Sequence, residues 1–102
     1  MVDGAVLVVI EILSVKDPAG LQTYIRRASE LIGALGGRLV AQGGGPIEGQ
    51  PGFGPLAIQR WPSEAAFRAW LASDAYKPLD EIRLASATMR AAVVPIAPTV
   101  DF

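Results

Sequence analysis

The stretch AVLVVIEIL, from Ala5 to Leu13, decides the fold because its apolar residues do not alternate with polar ones. Eight of its nine residues are apolar, and the single carboxylate is Glu11. A strand with one solvated face alternates apolar and polar side chains, whereas a continuous apolar run is typical of a strand covered on both faces. We therefore predict a central strand with a covering layer on each side.

Length and charge exclude several classes of protein. The chain of 102 residues is sufficient for one domain, which we expect to span residues 1–102. No apolar run is long enough to cross a bilayer, and no basic segment precedes a long apolar stretch, so we expect neither a membrane span nor a signal peptide. The nine basic and ten acidic residues are scattered. We therefore expect a cytoplasmic protein whose partner is neither nucleic acid nor a membrane surface.

The absence of two residue types narrows the chemistry further. The chain contains no histidine and no cysteine. Histidine is the usual general base near neutral pH and the commonest metal ligand, and cysteine supplies thiolates for catalysis and metal binding. We therefore expect a protein that uses no cofactor and no metal ion.

Capping residues and helix breakers divide the rest of the chain into short elements. Asp17-Pro18 is typical of a helix start, as is Ser63, and Gly36-Gly37 is typical of a helix end. Gly43–Gly54 contains six glycines and two prolines and is predicted to be a long hairpin loop. The predicted helices are Pro18–Leu35, Glu64–Ala72 and a further segment that Asp74 caps and Ser86 ends, and the later strands are Arg38–Gln42, Leu56–Trp61 and Met89–Ile96.

This order of elements predicts an α+β fold of the ferredoxin-like type. Two split βαβ units with right-handed crossovers give a βαββαβ plait, in which a four-stranded antiparallel sheet has strands one and three in the centre and its helices on one face. The apolar second face then requires a cover. We expect a two-fold homodimer packed through that face.

A set of glycine, aromatic and small residues carries a family resemblance over nearly the whole chain. The set comprises Gly36-Gly37-Arg38, Gly43-Gly44, Trp61-Pro62-Ser63, Ala66, Trp70, Ser73, Tyr76, Leu79, Arg83 and Ala87. In these residues the chain resembles the DUF1330 family, a group of small proteins of unassigned function in the dimeric α/β-barrel superfamily. The resemblance implies the same plait and a face-to-face dimer.

The chain departs from the family pattern at specific positions. Gln42 stands where such sequences commonly have arginine, and Trp61 stands where phenylalanine is usual. Arg60 stands where an acid often precedes that aromatic residue, and Glu11 is farther than usual from Asp17-Pro18. Family roles at these positions therefore do not carry over to this chain.

The candidate site residues come from the more polar phase of each strand, which we place on the face away from the helices. They are Glu11, Arg38, Gln42, Gln59, Trp61 and Arg90. A few polar groups in an apolar hollow are typical of a small-molecule site. Glu11 is either a partly desolvated general base or the partner of an arginine in an ion pair, and Arg38 or Arg90 is the candidate anchor for an anionic ligand.

Aromatic residues outside the strands provide two further candidates. Tyr24 either donates its phenolic hydrogen bond to a ligand or packs in the core, and the same alternatives hold for Tyr76. Phe53 is the tip of the glycine-rich loop, which is either a lid or a flexible hairpin. We expect a protein that binds or transforms a small apolar or aromatic molecule without a cofactor, or a ligand-binding or structural homodimer without turnover.

Overall fold

Seven elements follow one another in the order that the sequence predicts. In a computed structural model, which describes residues 4–49 and 52–96, they are β1 Val6–Val15, α1 Pro18–Gly33, β2 Arg38–Gly43, β3 Leu56–Trp61, α2 Glu64–Ala72, α3 Lys77–Ser86 and β4 Ala87–Pro95. The strands form one antiparallel sheet in the order β2-β3-β1-β4. The predicted α+β ferredoxin-like plait, with the first and third strands in the centre, is confirmed.

Capping side chains begin the first two helices where the sequence places them. The Gly20 N–H donates to Asp17 Oδ1 at 3.1 Å, and the Ala66 N–H donates to Ser63 Oγ at 3.0 Å. Each bond satisfies a backbone donor that the first turn of a helix leaves unpaired. The first helix is followed by a turn in which Gly36 has a φ of +88°, the left-handed conformation that favours glycine.

The third helix begins later than predicted. Residues 73–76 form a turn, and α3 begins at Lys77. The prediction that Asp74 caps this helix is wrong, because the Asp74 carboxylate accepts a hydrogen bond from Lys77 Nζ at 2.9 Å instead. Pro78 lies in the first turn, where its missing N–H leaves no donor to satisfy.

The core lies between the helices and one face of the sheet. Its centre is Trp61, which is completely buried. A Cβ atom on Gly37 would lie only 2.8 Å from the Trp61 ring, so the indole is packed directly against the backbone. The other buried apolar residues of the cluster are Val6, Val8, Ala28, Ile32, Trp70, Tyr76 and Leu79. All three helices therefore cover the same face of the sheet.

The strand register decides which face each sheet residue occupies. Residues directly opposite each other in an antiparallel pair share a face. Val8 is opposite Gln59 on one side and Val93 on the other, and because Val8 is a core residue, both neighbours face the helices. Leu7 and its partner Arg60 lie on the other face.

Three candidate site residues therefore lie on the opposite face from the predicted one. Gln59 and Trp61 face the helices, and a register shift between Leu39 and Ala41 in β2 brings Gln42 to the same side. The prediction places the side chains of Gln59 and Trp61 on the face of β3 that points away from the helices. It is wrong because the Trp61 ring is buried in the core, where its indole N–H donates to the Gln59 amide oxygen.

The open face of the sheet, on the side away from the helices, has the apolar centre that the first strand predicts. Its apolar residues are Leu7, Val9, Ile58, Ala92 and Val94, and its charged residues are Glu11, Arg38, Arg60 and Arg90. Within residues 4–49 and 52–96, no helix or loop packs over this centre, and the fold is only 17 Å thick along its shortest axis.

Candidate functional site

A groove of about 670 Å³ lies between the helices and the β4 side of the sheet. Aromatic side chains from the helical layer form one wall, and apolar residues of β4 form the other. The residues that define the groove are Tyr24, Phe67, Trp70, Tyr76, Met89 and Val93. A smaller hollow of about 40 Å³ continues from it between α1 and the sheet, and Gln59 lines both spaces. The volume of the groove is in the range of small-molecule pockets.

Two tyrosine hydroxyl groups meet at the wall of this groove. Tyr24 on α1 and Tyr76 in the turn before α3 place their hydroxyl oxygens 3.2 Å apart. Arg83, two turns further along α3, donates two hydrogen bonds to Asp80, from Nε at 2.9 Å and from Nη2 at 2.6 Å. The Asp80 carboxylate thus balances the guanidinium charge beside the hydroxyl pair.

The tyrosine pair has more hydroxyl protons than the hydrogen bond between the two oxygens uses. Two hydroxyl groups carry two protons, but only one of these lies between the two oxygens. The Arg83 guanidinium, which also lines the groove, has no acceptor atom and therefore takes up neither proton. Among the described residues no further acceptor bonds to either hydroxyl. One O–H donor therefore remains for a molecule in the groove.

The protonation state of Tyr24 makes this group a donor rather than a base. Burial, followed by the hydrogen bond to Tyr76, raises the pKa of Tyr24 above its ordinary value. The hydroxyl therefore stays protonated at neutral pH. A protonated phenol donates to a carbonyl or anionic oxygen but does not remove a proton from a ligand.

Glu11 and Arg90 form an ion pair on the open face. The two residues are opposite each other in neighbouring strands, and Arg90 Nε donates to Glu11 Oε1 at 2.5 Å. The Gly54 N–H donates to Glu11 Oε2 at 2.7 Å, so both carboxylate oxygens are engaged. The bonds from Gly54 and Arg90 lower the pKa of Glu11, although burial acts against them. These contacts favour the ion pair over the general base.

This ion pair predicts a specific loss of stability in acid. The pKa of Glu11 is lowered from 4.5 in the folded chain, so the folded state prefers the ionised carboxylate. The ionised carboxylate therefore stabilises the folded chain fully at pH values above the ordinary pKa of 4.5. This stabilisation is lost as the pH falls through the lower pKa of the folded state. We expect Glu11→Gln to be less stable than wild type at pH 7, and the difference to shrink steadily below about pH 4.5.

Urea denaturation at a series of pH values measures this difference. Asp74→Asn is the matched control, since it removes a carboxylate that is 96% exposed and paired with Lys77 on the surface. A surface pair contributes little, so this variant should follow wild type closely at neutral pH. A gap between wild type and Glu11→Gln that stays constant down to pH 3 would contradict the assignment.

The remaining candidate residues lie at the margin of the groove or outside it. Arg38 is on the open face directly opposite Arg60, and Arg90 lies at the groove margin with its guanidinium on Glu11. Phe53 is 61% exposed on the glycine-rich loop and adjoins a hollow formed by that loop and the start of β3. The roles of Arg38 as an anion anchor and of Phe53 as a lid stay predictions.

The structure thus brings together a different set of residues from the predicted one. Tyr24 and Gln59 line the groove, Gln42 lines the smaller hollow, and the Trp61 ring is buried beneath them. The groove also uses an aromatic and charged set that the sequence prediction does not combine, formed by Phe67, Trp70, Tyr76, Asp80 and Arg83. The sequence does contain a signal for this set, because Tyr76, Asp80 and Arg83 have the i, i+4, i+7 spacing of residues on one helix face.

The described part of the chain contains neither a candidate membrane-spanning helix nor a candidate metal-binding cluster. No helix there is long and apolar enough to cross a membrane. Residues 4–49 and 52–96 also contain no group of three or more histidine, cysteine, aspartate or glutamate residues that could hold a metal ion.

Solved structures with the same arrangement of strands and helices define the class of protein. A protein of unknown function from Rhodopseudomonas palustris superposes with a TM-score of 0.77 at 20% identity, covering 95% of this chain and 86% of the other. SnoaB, a cofactor-independent oxygenase from Streptomyces nogalater, gives 0.66 at 20% identity, with 97% and 98% covered. An Arabidopsis thaliana protein gives 0.62 at 19% identity, with 100% and 97% covered. At this level of identity the similarity shows the α+β ferredoxin-like fold alone.

The sequence places the chain more narrowly within that class. The profile of the family described as a domain of unknown function, DUF1330, matches residues 5–97. The chain therefore belongs to the DUF1330 family, as its glycine and aromatic spacing predicts. No curated protein matches it in sequence.

Proposed function

We propose that the groove binds a small, largely apolar aromatic molecule that carries a hydrogen-bond acceptor oxygen. The observation that carries this proposal is the Tyr24–Tyr76 hydroxyl pair, which keeps one O–H donor for a ligand within an aromatic wall. Trp70 and Tyr76 hold each other edge to face at a centroid distance of 5.0 Å, so the donor stands on a packed support.

Binding without a cofactor fits this site better than proton abstraction. Tyr24 stays protonated, and Arg83 is balanced by Asp80, so neither group is a base at neutral pH. SnoaB, which shares the fold, is a cofactor-independent oxygenase. That similarity supports the binding of a small organic molecule. The protonated hydroxyl pair supports the recognition of an oxygen atom on that molecule.

The same proposal includes a homodimer packed through the open face. The centre of that face consists of side chains that are neither fully buried nor covered by any described element, such as Leu7, Val9 and Ile58. A bare apolar sheet face of this kind is unusual on a monomer. A second copy of the chain supplies a matching apolar face through two-fold symmetry.

The two tyrosines provide the test of ligand binding. We expect wild type to bind α-tetralone, which has one carbonyl oxygen, more tightly than tetralin, which has the same rings without it. The double variant Tyr24→Phe/Tyr76→Phe should bind α-tetralone about two- to tenfold more weakly, because one ligand hydrogen bond contributes about 0.5–1.5 kcal/mol. Isothermal titration calorimetry with both compounds measures the change.

A matched control removes a hydroxyl group that does not face the groove. Thr23 is next to Tyr24, but its hydroxyl donates to the Ala19 carbonyl of its own helix at 3.1 Å. Thr23→Val should therefore leave the affinity for α-tetralone unchanged. Equal binding of tetralin and α-tetralone by wild type, or an unchanged affinity in the double variant, would refute the proposal. Native mass spectrometry of freshly purified protein provides an independent check for a retained ligand.

A further inference from the structure

Gln59 lines the groove from the sheet, whereas the tyrosine hydroxyls belong to the helical layer. It lies near the middle of β3, opposite Val8 and Leu39, and its half-buried side chain faces the helices. It lines the large groove and also the smaller hollow under α1. Gln59 is therefore a polar residue of the sheet that lines both spaces. Gln42 also lines the smaller hollow.

The hydrogen bond to Trp61 determines which way the Gln59 amide points. The Trp61 indole Nε1 lies 2.8 Å from Gln59 Oε1. An indole N–H is a donor only, so it must meet the amide oxygen and not the amide nitrogen. The NH₂ group of Gln59 is consequently directed away from Trp61.

The NH₂ group then has its two donors available on the groove side. Its side chain makes no other hydrogen bond to a described residue, and no side-chain nitrogen or oxygen atom among residues 4–49 and 52–96 is both buried and unpaired. The amide nitrogen therefore reaches accessible space, and the accessible spaces beside Gln59 are the groove and its continuation.

The direction of the amide is fixed because Trp61 cannot move. The ring is completely buried, contacts Phe67 edge on at a centroid distance of 5.5 Å, and lies against Gly37, where even a Cβ atom would approach within 2.8 Å. A donor that is held in place before binding loses less conformational freedom when the ligand arrives.

We infer that Gln59 is a specificity-determining residue, positioned by Trp61, and that the groove prefers an aromatic molecule with two acceptor oxygens, one for the tyrosine pair and one for the Gln59 amide. This inference rests on the proposed function, since it concerns the same groove. It adds the second oxygen, which the tyrosine pair alone does not require.

The test compares naphthoquinone, which has two carbonyl oxygens, with α-tetralone, which has one. The chain has no cysteine thiol that would add to the quinone. We expect wild type to bind naphthoquinone about two- to tenfold more tightly than α-tetralone. Gln59→Glu keeps an oxygen acceptor for the indole but replaces the donor by a second oxygen, so it should abolish the preference for naphthoquinone over α-tetralone.

A second variant tests the positioning role of Trp61. Trp61→Phe removes the indole N–H and leaves the Gln59 amide free to invert. The ratio of the affinity for naphthoquinone to the affinity for α-tetralone should therefore fall by roughly half or more, although Gln59 itself is retained. In the Trp61→Phe background, a further change of Gln59→Glu should have a smaller effect than in wild type. Thermal unfolding of each variant at one protein concentration identifies those that remain folded, and Gln59→Met, which removes the donor without adding charge, repeats the comparison if Gln59→Glu does not fold.

The outcomes separate this inference from the proposed function. If wild type binds neither compound, the proposed function fails and the inference fails with it. If both compounds bind with equal affinity, or if the preference survives in Gln59→Glu or Gln59→Met, the groove still recognises one oxygen and only the inference is overturned. A preference that is lost in the Gln59 variants and weakened in Trp61→Phe supports both.

Discussion

Gly37→Ala is expected to lower the free energy of unfolding by about 1–3 kcal/mol, the usual cost of inserting a methyl group into a packed core. The new Cβ atom would lie 2.8 Å from the Trp61 ring, which is a contact that real Cβ atoms do not show. Trp61 has no free space into which to move, because it is completely buried and packed against Phe67. Either the backbone at Gly37 or the indole must shift, and the core contacts of both are lost in part.

The same substitution at Gly33 should have the opposite sign. Gly33 is the last residue of α1, and a Cβ atom there would meet nothing within 4 Å. Alanine restricts the unfolded chain more than glycine does, so Gly33→Ala should raise the free energy of unfolding by about 0.4–1 kcal/mol. Urea denaturation followed by tryptophan fluorescence, at one protein concentration, measures both variants. Equal effects at the two positions would contradict the packing described for Trp61.

Val9→Glu is expected to convert the proposed dimer to a monomer. Val9 lies on the open face of the central strand β1, between Ile58 of β3 and Ala92 of β4. If a second copy packs on this face, the variant places an unpaired carboxylate from each subunit in an apolar interface. An uncompensated buried charge costs about 3–5 kcal/mol, so the dissociation constant should rise more than about a thousandfold.

Sedimentation velocity at micromolar concentration distinguishes the two states. Leu84→Glu is the matched control, because Leu84 is 56% exposed on α3, in the layer of helices, and lies away from the open face. This variant should remain a dimer. A wild-type monomer would refute the dimer, and a Val9→Glu variant that stays dimeric would move the interface to another surface.

Sequence pattern predicts the architecture well because its signals are local. The uninterrupted apolar run around Val8, the cap at Asp17 and the glycines at 36 and 37 each act within a few residues. Each restricts the backbone wherever the rest of the chain lies. The failure at Asp74 has the same origin, because its carboxylate has a second local partner in Lys77.

The composition of the groove is harder to predict because it depends on pairing between distant segments. Whether Gln59 faces the helices is decided by its register opposite Val8, and not by its own polarity. Its polarity suggests solvent, but Trp61 needs an acceptor in the core. The meeting of Tyr24 and Tyr76 joins residues 52 positions apart in the chain, which no periodicity encodes.

The register shifts in the sheet have a consequence for how the chain avoids assembling in the wrong way. β2 and β4 are the edge strands, and both ladders that hold them are irregular, between Leu39 and Ala41 and between Ile12 and Ser14. β4 also ends at Pro95, which has no N–H to donate. A bulge within edge strand β2 and a missing donor at the end of β4 make these edges poor templates for another strand. The fold thus discourages open-ended growth into fibres through its edges.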